Sequence, residues 1–160
     1  MKKELYKDEE VKYELSDLDR KIVNSLVENA RLSLRQIAKK IHVSVATVMH
    51  HLRQLEMRRI IKKYATNIDY DKVGYDVEVV IEIRVSKGKL FEVEKKIATH
   101  PNVFAVYDLT GPFDSLVLAR FKSRRELDTF VKKLQSFEFV ERTETKLILN
   151  TIKEEDRMPE

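Results

Sequence analysis

Ser44, Val45, Ala46, Thr47, Met49, His50 and Arg53 are what remains of a helical repeat once Val48, Leu52 and Leu55 are assigned to its apolar stripe. A face mixing small, apolar and hydrogen-bonding side chains, with no carboxylate, suits base edges in a DNA major groove better than plain solvation, which selects Glu and Lys. Arg31, Arg35, Arg58, Arg59, Lys62 and Lys63 surround it, and a duplex would meet such cations as phosphate contacts that position a protein without reading sequence. Ser33, at the start of the preceding helical segment, completes the candidate DNA-contacting set. Residues 31 to 63 hold 9 Lys or Arg against 1 Asp or Glu, residues 1 to 30 hold 6 against 8, and residues 64 to 160 hold 16 against 18. The modest net charge of +4 therefore conceals one stretch of +8. A solvated basic face is the plainer reading of a charge run, and the composition of the helix face is what turns it into a polyanion footprint.

Other chemistries find little support. The four histidines are His42, His50, His51 and His100, and adjacent His50 and His51 diverge by about 100° on a helix. With no Cys and no convergent carboxylate, neither a metal site nor a cofactor is expected. The absence of Cys also excludes disulfides, zinc ribbons and thiol catalysis. No nucleophile with a base, P-loop or dinucleotide fingerprint is present, so no catalytic residue is assigned and the chain is not expected to be an enzyme. No apolar run approaches the roughly 20 residues needed to cross a bilayer, and the N-terminal MKKELYKDEEVKYELSD lacks the apolar region of a secretory signal. A cytoplasmic, DNA-associated protein is expected. The charged fraction of 36% resembles that of proteins using surface ion-pair networks at high temperature.

Three helices must position the reading face. Ser16 with Asp19 opens the first, whose stripe is Leu18, Ile22, Val23, Leu26 and Val27. Ser33 with Gln36 opens the second, with Leu34, Ile37, Ala38 and Ile41 inward, and Ser44 caps the third after a break at His42-Val43. The last two form a helix-turn-helix, in which Ala38 is small enough to admit the crossing helix. About 45 residues make too small a core to be securely stable alone, so a partner domain or subunit is expected.

Downstream, residues 60 to 74 read as an extended connector bearing Ile60, Ile61, Tyr64 and Ile68, ending in a turn from Asp71 to Gly74. VEVVIEIRV then alternates as a half-buried strand does, with Val77, Val79, Ile81, Ile83 and Val85 on one face. A helix, two strands joined by Thr110 to Asp114, a helix capped by Ser123 and a last strand VERTETKLILNTI follow. Strand, helix, strand, strand, helix, strand is the ferredoxin-like βαββαβ order, so the fold class is α+β, with an N-terminal helix-turn-helix and a C-terminal ferredoxin-like domain. Its helices cover one sheet face and leave the other to be buried by association.

From Leu15 to about Lys153 the chain resembles the Lrp/AsnC, or feast/famine, transcription regulators. The resemblance rests on L-S-D-L-D-R-K-I at 15 to 22, N-A-R-L-S at 29 to 33, I-A-K-K-I at 37 to 41, L-R-Q-L-E at 52 to 56, K-V-G-Y at 72 to 75, T-G-P-F-D at 110 to 114 and R-T-E-T at 142 to 145. Each string is weak, but their order and spacing over nearly the whole chain are specific. The resemblance implies an N-terminal extension (1–14), a helix-turn-helix DNA-binding domain (15–59), a connecting strand or hinge (60–74), a ferredoxin-like, RAM-type effector and oligomerisation domain (75–153) and a tail (154–160). It further implies homodimers, often assembled into octamers, reading a pseudo-palindromic double-stranded DNA operator and modulated by an amino-acid effector. The implied effector residues are Gly111, Pro112, Phe113 and Asp114, with Thr143 and Thr145 on the last strand. A plain β-turn explains Gly111, Pro112 and Asp114 equally well from turn chemistry alone.

Three positions depart from the family pattern. His42 and Arg59 stand where it has Gly, and His51 where it has Arg, so some strain at the two turns is expected. Siroheme decarboxylases resemble the same architecture but carry H-R-x-x-G-Y and a Trp-containing strand. Here the matching stretch is Asp69-Tyr70-Asp71-Lys72-Val73-Gly74-Tyr75 and there is no Trp. A nucleoid-architectural protein with little sequence preference is the remaining alternative, against which the composition of the third helix argues.

Overall fold

The computed structural model describes residues 13–86 and 88–155, and the chain divides into two compact units, one up to Asn67 and one from Ile68 to Glu154. The first holds α1 (Asp17–Glu28), α2 (Leu34–Ile41) and α3 (Val45–Met57). Each begins at the serine that the sequence marks. Ser16, Ser33 and Ser44 accept backbone N–H groups of Asp19, Gln36 and Thr47, and the first two close reciprocal capping boxes. Every such cap contributes about 1 kcal/mol by satisfying N–H groups that the helix cannot bond itself. The core is Ile22, Ile37, Ala38, Val48 and Leu55, with Leu18, Leu26, Leu52, Ile60 and Ile61 packed around it. Full burial of each Ile, Leu or Val side chain contributes about 1.5–3 kcal/mol.

Both expected departures at the turns are visible. His42 ends α2 in the left-handed region at φ 58°, and Arg59 follows α3 at φ 56°. Around each, helix-terminating bonds close: Val43 N–H donates to Ala38 O at 3.0 Å and Ile60 N–H to Leu55 O at 2.9 Å. The turn geometry is kept, and the side chains carry the strain of a conformation that glycine adopts freely.

The second unit contains β1 (Val77–Val85), α4 (Leu90–Ala98), β2 (Val103–Asp108), β3 (Ser115–Phe121), α5 (Arg124–Gln135) and β4 (Val140–Leu147). The sheet order is β2-β3-β1-β4, with every pair antiparallel, which is the ferredoxin-like arrangement. Val79, Ile81, Ile83 and Val85 of β1 share a core with Val117, Ala119 and Phe121 of β3 and with Val93, Ile97, Phe130 and Leu134 of the helices. The alternation in β1 thus does what its period requires, one face entering the core and the other left for Val80, Glu82 and Arg84.

Two expected strand segments are not formed. Residues 62–69 have no regular structure, and a 3-10 turn at Asp71–Val73 precedes Gly74 at φ 83°. Ile60 and Ile61 instead fold back onto Leu55 O, while Tyr64 and Ile68 stay 50% and 45% exposed. A strand needs a ladder partner, and the connector meets none among the described residues. Likewise β4 stops at Leu147, opposite Val79, with only Ile148 N–H reaching on to Glu78 O. β1 itself runs on to Val77, so the ladder with β4 ends before the strand does, and Leu149 and Ile152 are 81% and 93% exposed.

Candidate functional site

The α3 helix turns Val48 and Leu55 into the core and leaves Val45, Ala46, Met49, His50 and Arg53 exposed, with Thr47 half-buried. At its start Ser44 Oγ accepts Thr47 N–H at 3.0 Å and shares a hydrogen bond with Thr47 Oγ1 at 2.8 Å, so the two hydroxyls are held together at the exposed end. Val45 and Met49, 40% and 38% exposed, are apolar groups that solvent alone does not favour there. The nearest acid along the helix, Glu56, is occupied by the Tyr64 hydroxyl at 2.7 Å. Burial, reinforced by the bond and charge of Glu56, pushes that phenol up to about 12.

The basic surround is less uniform than its sequence. Arg31, Arg35, Arg53, Lys62 and Lys63 are exposed and make no ion pair among the described residues. Arg58 is different, its guanidinium lying 4.4 Å from the centre of the Tyr13 ring. Ser33 is committed locally, its hydroxyl donating to Gln36 Oε1 at 2.9 Å while accepting Gln36 N–H at 3.3 Å. Lys40 pairs with Glu28 across to α1.

One group that the sequence reading left as a departure acquires a role. His51, on the inner side of α3, places Nδ1 2.8 Å from Oδ1 of Asp19, which is only 1% exposed. Asp19 Oδ2 also accepts Ser16 N–H at 3.1 Å, Ser16 Oγ–H at 2.7 Å and the Tyr13 hydroxyl at 3.2 Å. Desolvation pushes this carboxyl up, but the bonds from Ser16 and His51 outweigh it and hold the group below the ordinary 3.8. α3 is thereby fixed to α1 by a buried ionised acid. His50 and His51 meet edge to face with ring centres 5.8 Å apart, His50 exposed and His51 turned toward Asp19.

In the second unit, Gly111 adopts φ 123°, and the loop around it returns the chain from β2 to β3. Asp114 N–H donates to Ile83 O at 2.9 Å, and Leu109 N–H donates to Asp114 O at 2.8 Å. The Asp114 carboxylate itself accepts Val85 N–H through Oδ2 at 2.8 Å, where the β1–β4 register shifts between Arg84 and Val85. One oxygen thus satisfies a backbone donor that the irregular ladder leaves over. Phe113 meets Arg142 of β4 at 5.6 Å, whereas Thr143 Oγ1 accepts Gln135 Nε2–H from α5 at 2.9 Å. Thr145 lies opposite Ile81 and is exposed.

Residues 78–158 match the Lrp/AsnC ligand binding domain and residues 15–62 the winged helix-turn-helix DNA-binding domain. The chain belongs to the Lrp/AsnC family. Over 145 residues it is 40% identical to an uncharacterized HTH-type transcriptional regulator of Pyrococcus furiosus, covering 91% of this chain and 98% of that one. To the HTH-type transcriptional regulator FL11 of the same organism it is 32% identical, over 91% and 96% of the two chains. Escherichia coli AsnC superimposes with a TM-score of 0.85 at 25% identity, over 92% and 100% of the chains. A Neisseria meningitidis transcriptional regulator, solved in complex with L-Met, gives 0.85 at 26%, over 91% and 97%. This Lrp/AsnC protein is a DNA-binding transcription regulator with a ligand-binding domain. Among its described residues no helix is long and apolar enough to cross a membrane.

Proposed function

We propose that this regulator reads a pseudo-palindromic operator through α3, acting as a homodimer, in the cytoplasm and without catalytic activity. Ser44, Val45, Ala46, Thr47, Met49, His50 and Arg53 meet base edges, while Arg31, Arg35, Lys62 and Lys63 neutralise phosphates. Ser33 and Arg58 act from the same surface, Ser33 by orienting the start of α2 and Arg58 as a cation held by Tyr13. The observation that carries the proposal is the exposed face of α3 from Val45 to Arg53, whose only acid follows at Glu56 in the last turn, with its paired hydroxyls and exposed Val45 and Met49. Dimers bury the open sheet face, where Val80, Leu116, Leu118 and Phe104 lie between the ion pairs Arg120–Glu78 at 2.7 Å and Lys146–Glu82 at 2.5 Å. Two reading helices then reach successive major grooves about 34 Å apart. Footprinting on the natural promoter should show protection repeating with the helical turn and lost on scrambled DNA, and affinity should fall steeply with salt. Equal affinity for scrambled DNA would make the protein architectural instead.

An amino-acid effector is assigned to the loop Gly111-Pro112-Phe113-Asp114 with Thr143 and Thr145, on the precedent of the Neisseria regulator's L-Met complex. Asp114 accepts the α-ammonium through the oxygen not committed to Val85, and the ligand biases assembly of dimers into octamers by its differential affinity for the two states. Calorimetry and sedimentation with each amino acid test this. Asp114→Asn keeps an acceptor for Val85 N–H but removes the charge, so binding unchanged in that variant would leave Asp114 a turn residue.

A further inference from the structure

Glu56 is the only acid among residues 31–63, against nine Lys or Arg. Arg53 stands one helical turn before it and Arg59, Lys62 and Lys63 follow, yet among the described residues it makes an ion pair with none of them. Its Oε1 accepts instead the hydroxyl of Tyr64, eight residues on, at 2.7 Å. That is the length of a charge-assisted O–H···O⁻ bond. Burial, then the bond and charge of Glu56, push the phenol up to about 12, so the hydroxyl remains a donor across the pH range of DNA binding. The stretch between the two residues is fixed at its near end as well. Arg59 N–H donates to Glu56 O at 2.9 Å, and the Ile60 and Ile61 N–H groups donate to Leu55 O at 2.9 and 3.2 Å. Both isoleucines pack against the helical core. Lys62 and Lys63, both exposed, are thus the two residues held between a packed anchor and a hydrogen-bonded one. Tyr64 is itself 50% exposed, so packing alone does not account for its placement.

We infer that Tyr64 is a positioning residue for DNA binding: through Glu56 its hydroxyl holds Lys62 and Lys63 beside the last turn of α3, ready for phosphates flanking the bases that α3 reads. The inference rests on the DNA-contacting surface proposed above and adds to it a residue that need not touch DNA itself. A segment ordered before binding loses less freedom on docking, so the same two charges give more affinity without any new bond to DNA. The neutral partner matters too. A lysine or arginine on Glu56 would take one cation out of the surface, whereas a phenol anchors the segment and leaves Arg53, Lys62 and Lys63 unpaired among the described residues.

The test measures affinity of the full chain for the natural promoter fragment and for scrambled DNA by fluorescence anisotropy, each variant first matched to wild type by circular dichroism. Tyr64→Phe removes only the hydroxyl and should weaken binding to both DNAs roughly three- to tenfold. Lys62→Ala/Lys63→Ala should weaken it further and lower the log–log salt slope by roughly 1.8, the value for two phosphates. In that double variant, and in Glu56→Ala, adding Tyr64→Phe should change affinity by less than about twofold, because the hydroxyl then has either nothing to position or nothing to hold it. Full affinity in Tyr64→Phe overturns the inference. So does a loss that persists undiminished in either background, which would mean that the hydroxyl meets DNA directly. Unchanged affinity in Lys62→Ala/Lys63→Ala would instead overturn the phosphate assignment on which the inference rests, so the two failures are distinguishable.

Discussion

Replacing His51 by Ala tests whether the bond to Asp19 holds α3 in place. Asp19 is 1% exposed and its acceptor capacity is used on both oxygens, by Ser16 and Tyr13 at Oδ2 and by His51 at Oδ1. Without the imidazole, Oδ1 of an ionised buried group loses its partner, and hydrogen bonds to charged groups are worth about 1.5–3 kcal/mol. His51 is itself only partly buried, its side chain 28% exposed, so water can enter the vacated space and recover part of the loss. The expected cost is therefore about 1–2 kcal/mol. Urea denaturation reads it, with amide exchange along α1 and α3 separating the helical unit from the ferredoxin-like one, since a two-unit chain need not unfold in one step. A double-mutant cycle with Asp19→Ala should return a coupling energy of about 1 kcal/mol or more. Coupling within error of zero, or exchange accelerated equally in the second unit, would refute the link.

The same acid fixes a pH dependence. Its folded pKa lies below the unfolded 3.8, so the stabilisation is complete above that value and is lost as pH falls through the folded pKa. Below pH 3.8 the unfolded chain takes up the proton first, which pulls the equilibrium toward unfolding. Asp19→Asn should flatten this acid limb while lowering stability at pH 7.

Substituting His42 by Gly removes the strain of φ 58° without touching the core, and should stabilise the helical unit by up to about 1 kcal/mol in thermal denaturation; a loss of stability would show that the imidazole makes a compensating contact. Glu94 Oε1 is buried without a partner, and burial first, then the charge of Asp108, raise its carboxyl above 4.5 despite a bond from Ser115. As pH rises the unfolded chain ionises before the folded one, so Glu94→Gln should gain about 1 kcal/mol at pH 7 and nothing near pH 4. In DNA binding, His50→Ala or Arg53→Ala should flatten preference among operator variants by about 1–3 kcal/mol per lost base contact, whereas Lys62→Ala should weaken all sequences alike; a uniform loss from His50→Ala would mean that α3 is oriented otherwise.

What could be read from the sequence followed the range of the interaction. Ser16, Ser33 and Ser44 cap their helices because a cap is decided within four residues, and the inward face of β1 follows from period two alone. The left-handed turns at His42 and Arg59 were legible too, but only through resemblance, because nothing local in either residue type asks for positive φ. Tertiary partners were not legible. His51 read as a missing arginine, and only the fold brings it, 32 residues away along the chain, to the carboxylate that already caps α1. Asp114 read equally as turn residue and ligand acceptor, and the bond to Val85 N–H shows why: a register shift in a strand 29 residues earlier leaves a donor for it to satisfy.

The connector failed for the opposite reason. Its alternating Ile and Tyr carry the pattern of a strand, but pattern states only which face would be buried, and strand formation needs a second backbone within hydrogen-bonding reach. Residues 62–69 have no such neighbour among the described residues, and their side chains stay exposed. A second copy that pairs with this segment would turn the same sequence into a strand. The dimer proposed from the open sheet face therefore makes a separate demand on the connector: protection of the amides of residues 62–69 from exchange should rise with protein concentration in step with dimerisation. Protection that stayed flat while the dimer formed would confine association to the sheet.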